Sequence, residues 1–220
     1  KRGRYRLVGN GIDLNRFGPD PEGRRRVRAE LGVADDEILV GTIGRRVREK
    51  GMAEFLDVAA RLRQRATFVW VGPVDETDPT AGVGHTDAVR FIEERTDMPA
   101  VYSALDVFVL ASYREGMSRA AMEAAACGVP MVLTDIRGCR EIGRDGEHLL
   151  LVPPHDGVAL EKAVERLLTE SGLRERLAAA ARTRALAAFD QHRVANASLS
   201  TYAAVLAGSR RLGRHRRGDS

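Results

Sequence analysis

Three stretches of this chain hold the residue types and spacings that could do chemistry. The first reads Gly44-Arg-Arg-Val-Arg-Glu-Lys-Gly51 and sets Arg45, Arg46, Arg48 and Lys50 between two glycines, just ahead of a helical pattern. Mobile cations beside a helix N-terminus suit a diphosphate, because side chains supply charge and free amides supply donors. Taken alone, the loop reads as a solvated basic turn. The composition shifts that balance: the chain has 32 Arg and three Lys, at positions 1, 50 and 162. Lys50 has escaped a strong bias toward arginine, which hints that a compact ammonium is wanted there.

The second stretch, Ser112-Tyr-Arg-Glu-Gly-Met-Ser-Arg-Ala-Ala-Met-Glu123, places Glu115 just before a helix and Glu123 eight residues later, about two turns along it. Gly116, Met117 and Ser118 lie between them, where a helix start leaves backbone amides free for an anion. Glu115 at a helix mouth also simply favours the dipole, and Glu123 could be a plain surface charge. Yet Glu123 sits in Ala-Ala-Met-Glu-Ala-Ala-Ala-Cys, apolar nearly all round. A carboxylate there is costly without a partner, so a buried Glu with hydroxyl partners is the sharper reading. The third stretch, Thr134-Asp-Ile-Arg-Gly-Cys-Arg-Glu141, adds Asp135, Arg137 and Glu141 and says little by itself. Zinc-protease, CxxC redox, nucleophile-elbow and P-loop patterns do not occur.

These stretches need elements to position them. Strand patterns cover residues 38–43, 67–71, 89–92, 106–110, 130–134 and 149–152. Helical patterns cover 51–65, 98–105 and 117–127, and residues 73–88 read as a long loop. Short strands apolar on both faces, separated by helices, indicate a covered parallel sheet. The expected class is α/β, a doubly wound Rossmann-like sheet, with its ligand at the carboxyl ends of the strands. Beyond Pro154, patterns at 156–169, 172–188 and 191–207 follow without a strand, giving a helical C-terminal annex.

Composition limits the functional classes. With 44% hydrophobic and 30% charged residues over 220 positions, the chain can bury a core, and no apolar run reaches membrane-spanning length. Lys1 to Arg6 have no apolar core behind them and do not read as a signal peptide. Two cysteines, 127 and 139, make no disulfide framework and fit a cytoplasmic setting. The net charge of +4 comes from the ends, since residues 7–208 hold 26 basic and 30 acidic groups. That acidic body argues against nucleic acid as a partner. The basic end at 208–220 reads as a solvated, disordered tail, with contact to RNA or to anionic lipid at the inner membrane face as the alternative.

The Glu115-x7-Glu123 pair, the preceding Gly44-Arg45…Lys50-Gly51 and the segment 124–134 together resemble retaining glycosyltransferases of the GT-B fold, family 4. Val8-Gly-Asn-Gly-Ile-Asp13 with Arg16-Phe17 is similar to the point where that family's C-terminal domain begins. Residues 134–141 look most like enzymes of surface-polysaccharide synthesis. The resemblance implies that Arg45 and Lys50 neutralise the donor diphosphate and that Glu123 accepts from the ribose hydroxyls. It places Glu115 beside the transferring sugar, the amides of Gly116, Met117 and Ser118 toward sugar or phosphate, and backbone at Ile92 and Glu93 against the base. Glycine is common in the family where Glu93 stands, and glycine or proline where Ser118 stands.

The resemblance also implies a nucleotide-sugar donor, UDP-linked by default with GDP as the alternative, a glycan or lipid-linked acceptor, and neither metal nor cofactor. Residues 1–17 then form a basic segment and interdomain linker, 18–190 the donor-binding domain, and 191–207 a helix that crosses back to an N-terminal domain. That acceptor-binding domain is expected to be missing from this chain, which would make the chain an incomplete catalytic unit. Two rival readings remain: a nucleotide-sugar epimerase of the same architecture, and a noncatalytic binding module. Histidines at 85, 148, 155, 192 and 215 are scattered, and none falls in the three stretches.

Overall fold

The computed structural model describes residues 10–75, 77, 78 and 87–215. Six strands, β1 (Leu39–Ile43), β2 (Thr67–Val71), β3 (Val89–Ile92), β4 (Val107–Leu110), β5 (Met131–Thr134) and β6 (Leu150–Val152), form one sheet. Their order is β3-β2-β1-β4-β5-β6, and every pairing is parallel. Successive side chains alternate across a strand, so a sheet covered on both faces needs apolar residues at every position. Leu39, Val69, Val71, Phe108, Leu110, Met131 and Leu133 enter one core layer. Val40, Phe68, Trp70, Val107, Val109, Val132 and Leu150 enter the other.

Helices α1 (Pro21–Glu30), α3 (Met98–Ala104), α4 (Arg119–Ala126) and α7 (Ser171–Ala188) cover the first face. Helices α2 (Met52–Leu62) and α6 (Gly157–Thr169) cover the second, and a single turn, α5 (Arg137–Arg140), follows β5. This is the doubly wound class expected, with its helical end. Much of the loop read at 73–88 lies outside the described residues, as do residues 1–9 and 216–220.

The first helix, α1, has no counterpart in the sequence reading. Its sequence Pro-Glu-Gly-Arg-Arg-Arg-Val-Arg-Ala-Glu offers almost no apolar face. Polar anchors hold it instead. Asp20 caps it by accepting from the Gly23 amide at 2.8 Å, and Arg24 donates to Asp106 at 2.7 Å. Arg28 is 1% exposed and donates to the other Asp106 oxygen at 2.9 Å. Asp106 also accepts from the Leu39 amide at 2.8 Å and lies just outside β4, not within it. The Asp-Pro pair at 20 and 21, an N-cap followed by Pro at the first turn, was the available signal.

The last helix, α8 (Gln191–His215), runs past the expected end at 207, so residues 208–215 are helical and not a disordered tail. Arg210, Arg211, Leu212 and Arg214 favour continuation, against the glycines at 208 and 213. Residues 10–12 dock at its start: the Ile12 amide donates to the Phe189 carbonyl at 2.8 Å, and the Gln191 amide to the Ile12 carbonyl at 3.0 Å. Farther along, Leu199, Tyr202 and Val205 are each more than 60% exposed. Among the described residues no helix is long and apolar enough to cross a membrane.

Candidate functional site

All six strands end at one edge, and the strand order reverses between β1 and β4. Loops leaving the sheet on either side of such a reversal open a crevice. The loop after β1 carries Arg45 to Gly51, the loop after β4 carries Ser112 to Ser118, and the loop after β5 begins at Asp135. Two glycines press them together. At Gly51 (φ 69°) a Cβ would strike the Ala111 carbonyl oxygen, and at Gly138 it would strike the Gly116 carbonyl oxygen. Thr134 tightens the same seam by donating its hydroxyl to the Ser112 carbonyl at 2.5 Å.

Across the crevice Lys50 Nζ lies 2.5 Å from Glu115 Oε1. The pair is mostly enclosed, with side chains 25% and 12% exposed. Arg45 is held in the same manner by Asp75, at 2.5 Å, but from an exposed position. The four cations of this loop thus separate into distinct roles. Arg46 is buried: its Nε donates to the Gly72 carbonyl at 2.9 Å, and Nη2 to the Ile92 carbonyl at 3.3 Å and to Glu93 at 2.5 Å. It ties the ends of β1, β2 and β3 together and lies over the Phe91 ring at 5.2 Å. The Arg48 side chain is exposed, while its amide donates to Asp78 at 2.9 Å.

Ser118 caps α4, its hydroxyl accepting from the Ala121 amide at 3.3 Å. Among the described residues the amides of Glu115, Gly116, Met117 and Ser118 donate to no acceptor, and the space where a Gly116 Cβ would sit is open. One turn into α4, Glu123 accepts from the Tyr102 hydroxyl at 3.0 Å and meets Arg119 at 3.6 Å. Burial raises the Glu123 carboxyl above the ordinary range, and the Tyr102 hydrogen bond only partly offsets it. Burial and the nearby carboxylate push the Tyr102 phenol well up in turn. A hydroxyl partner for Glu123 therefore exists within the protein, on α3. The sequence reading missed Tyr102 because no local spacing links it to position 123.

Ile92 and Glu93 stand at the end of β3. The Ile92 carbonyl accepts from the Gly72 amide at 2.9 Å as well as from Arg46, and the Glu93 side chain is largely exposed. The structure thus gathers Lys50, Glu115 and the amides at 116–118 into one contiguous patch, with Glu123 one turn deeper. Arg45 is drawn toward Asp75, and Ile92 and Glu93 are linked to the patch through Arg46. A groove of 310 Å³ lies at the opposite edge of the sheet, beside Arg24, Asp106 and Pro130, and shares no residue with these loops. Among the described residues no group of three or more His, Cys, Asp or Glu could hold a metal ion.

A Rossmann-like parallel sheet of this order, with anion-suited groups astride its reversal point, is the layout of an α/β ligand-binding domain, and it matches one half of structures of GT-B architecture. The family model described as "Glycosyl transferases group 1" matches residues 37–170, and the chain belongs to that family. It is 33% identical over 226 aligned positions to the D-inositol 3-phosphate glycosyltransferase of Salinispora arenicola, covering 93% of this chain and 50% of that protein. It is 31% identical to the N,N'-diacetylbacillosaminyl-diphospho-undecaprenol alpha-1,3-N-acetylgalactosaminyltransferase of Campylobacter jejuni, covering 89% of this chain and 53% of that one. The crystal structure of Anabaena Alr3699/HepE in complex with UDP and glucose superposes with a TM-score of 0.83 at 24% identity, covering 90% of this chain and 56% of that chain. The chain spans about half the length of the curated relatives it matches.

Proposed function

We propose that this chain is the donor-binding half of a retaining glycosyltransferase that takes its sugar from a nucleoside diphosphate, with UDP as the carrier. The observation that carries the reading is the pairing of Lys50 with Glu115 across the sheet reversal, beside the amides of Gly116 to Ser118. In the reaction the bond between the anomeric carbon and the diphosphate oxygen breaks, a hydroxyl of the acceptor forms the new bond on the same face of the sugar, and the hydroxyl's proton passes to the departing diphosphate oxygen. The diphosphate leaves with the electron pair. Lys50 and Arg45 neutralise it, and the amides ahead of α4 share the remaining charge, so no metal is required. Glu115 faces the transferring sugar and Glu123 the ribose hydroxyls, while backbone near Ile92 and Glu93 meets the base.

The acceptor is a glycan or a lipid-linked glycan, in keeping with the diphospho-undecaprenol substrate in the name of the Campylobacter relative. It sits on an N-terminal domain that forms the other wall of the crevice. Transfer needs both reactants held at contact distance, and this half alone supplies one of them. The exposed face of α8 at Leu199, Tyr202 and Val205 is where the crossing to that domain would be made. Calorimetric titration with UDP-glucose, GDP-mannose and UMP tests the reading. UDP-glucose should bind, with GDP-mannose and UMP only weak, whereas equal affinity for UMP and UDP-glucose would remove the diphosphate site.

A further inference from the structure

We infer that Tyr113 is the positioning residue that sets the Lys50–Glu115 pair, a role that rests on the donor-site reading above. Tyr113 stands two residues before Glu115, and three unrelated contacts fix it. Its amide donates to the Glu49 carbonyl at 2.9 Å, next to Lys50 in the loop after β1. Its hydroxyl reaches both carboxylate oxygens of Glu54, at 2.8 and 2.7 Å, in the first turn of α2. Its ring lies against the His155 imidazole, with centroids 3.8 Å apart and planes tilted by 34°.

Each contact comes from a different loop or helix of the same sheet edge, so Tyr113 joins the exits of β1, β4 and β6. His155 holds its place at φ 61°, a left-handed backbone that residues with a side chain seldom adopt. The ring stack and the approach of its Nδ1 to Glu54, 3.9 Å away, help to hold it there. Burial and the Glu54 carboxylate push the Tyr113 phenol up to about 12. Neighbouring Arg114 repeats the link by pairing with Glu49 at 2.9 Å. A hydroxyl gripped by two carboxylate oxygens fixes a loop better than a backbone bond alone, because the charged acceptor roughly doubles its strength. Without that grip the β4 loop keeps its glycine contacts but loses its lateral stop, and Glu115 is free to slide away from Lys50.

Lysine labelling reads this directly, because the chain has three lysines and each gives a distinct peptide. An amine held against a carboxylate in a mostly enclosed pair is shielded from the reagent, and it reacts faster once that contact opens. In the full chain, Glu115→Gln should raise Lys50 acylation relative to Lys162, and Tyr113→Phe should raise it in the same direction by a similar or smaller factor. Glu54→Ala should match Tyr113→Phe, Glu54→Gln, which keeps an acceptor, should restore the slow rate, and Tyr202→Phe should change nothing. Calorimetry adds a second reading: the ratio of UDP to UDP-glucose dissociation constants should fall about fivefold in Tyr113→Phe. Unchanged Lys50 labelling in Tyr113→Phe, alongside faster labelling in Glu115→Gln, overturns the positioning role whatever the nucleotides do. Faster labelling in a protein that binds no nucleotide leaves the positioning role standing and overturns the donor-site reading instead.

Discussion

Lys50 and Glu115 are 65 positions apart in the chain, yet their charged atoms lie 2.5 Å from each other across the point where the strand order reverses. On the proposed function, a diphosphate in the crevice would have to compete with a carboxylate for the same ammonium. If Glu115 faces the sugar as proposed, Glu115→Gln should tighten free UDP by roughly 0.5–1 kcal/mol, because Lys50 is released, and weaken UDP-glucose. Opposite shifts of the two ligands in parallel titrations check this. Parallel shifts would mean that Glu115 meets only the phosphates.

Glu123 gives a pH-dependent prediction. Burial raises its carboxyl above the ordinary value of 4.5, and ligand hydroxyls that donate to it favour the ionised form. Binding should therefore release a proton, and affinity for UDP-glucose should increase as pH climbs through the raised Glu123 value. UDP-glucose suits the measurement because its doubly esterified diphosphate does not titrate there. Glu123→Gln should keep the fold, flatten that rise, and cost less with the 2′-deoxy nucleotide than with the ribonucleotide. Simple additivity of the two losses would place Glu123 away from the ribose.

Asp106 is the counter-ion of a buried arginine on the far side of the molecule from the crevice. Removing one partner of a buried pair leaves an uncompensated charge, so Asp106→Ala should cost roughly 3–5 kcal/mol in urea unfolding. Glu30→Ala, which breaks half-exposed pairs with Arg26 and Arg95, should cost no more than about 1 kcal/mol.

Gly51 must lack a side chain for two reasons, its left-handed backbone and its closeness to Ala111. Gly51→Ala should lose at least roughly 1–2 kcal/mol from the backbone alone. Because the loop must lift off β4 to fit the methyl group, Lys50 should part from Glu115, visible as faster Lys50 labelling. A stable variant with wild-type labelling would show that the glycine contact does not position the lysine.

The sheet was legible because burial on both faces writes itself into every strand, as in Thr67-Phe-Val-Trp-Val71. Helix α1 was not, because its stability comes from Arg24 and Arg28 reaching an aspartate about 80 residues away, which periodicity cannot register. In the crevice, Lys50, Glu115 and Glu123 stood out through local composition and spacing. The split among the loop cations did not: Arg46 differs from Arg48 only in what the ends of β2 and β3 offer it. Tyr102 and Tyr113 were hidden for the same reason, since their carboxylate partners are brought to them by packing from 21 and 59 positions away.

A defined diphosphate site at Lys50 sets this lysine apart from the other cations of its loop. Calorimetric titration of UDP into the wild-type chain, Lys50→Ala and Arg48→Ala should show a loss of roughly 1.5–3 kcal/mol for Lys50→Ala, the range for a charge-assisted hydrogen bond. Arg48→Ala, which removes an exposed side chain of equal charge from the same loop, should lose far less. Equal losses for the two variants would mean a diffuse basic turn and would contradict the account.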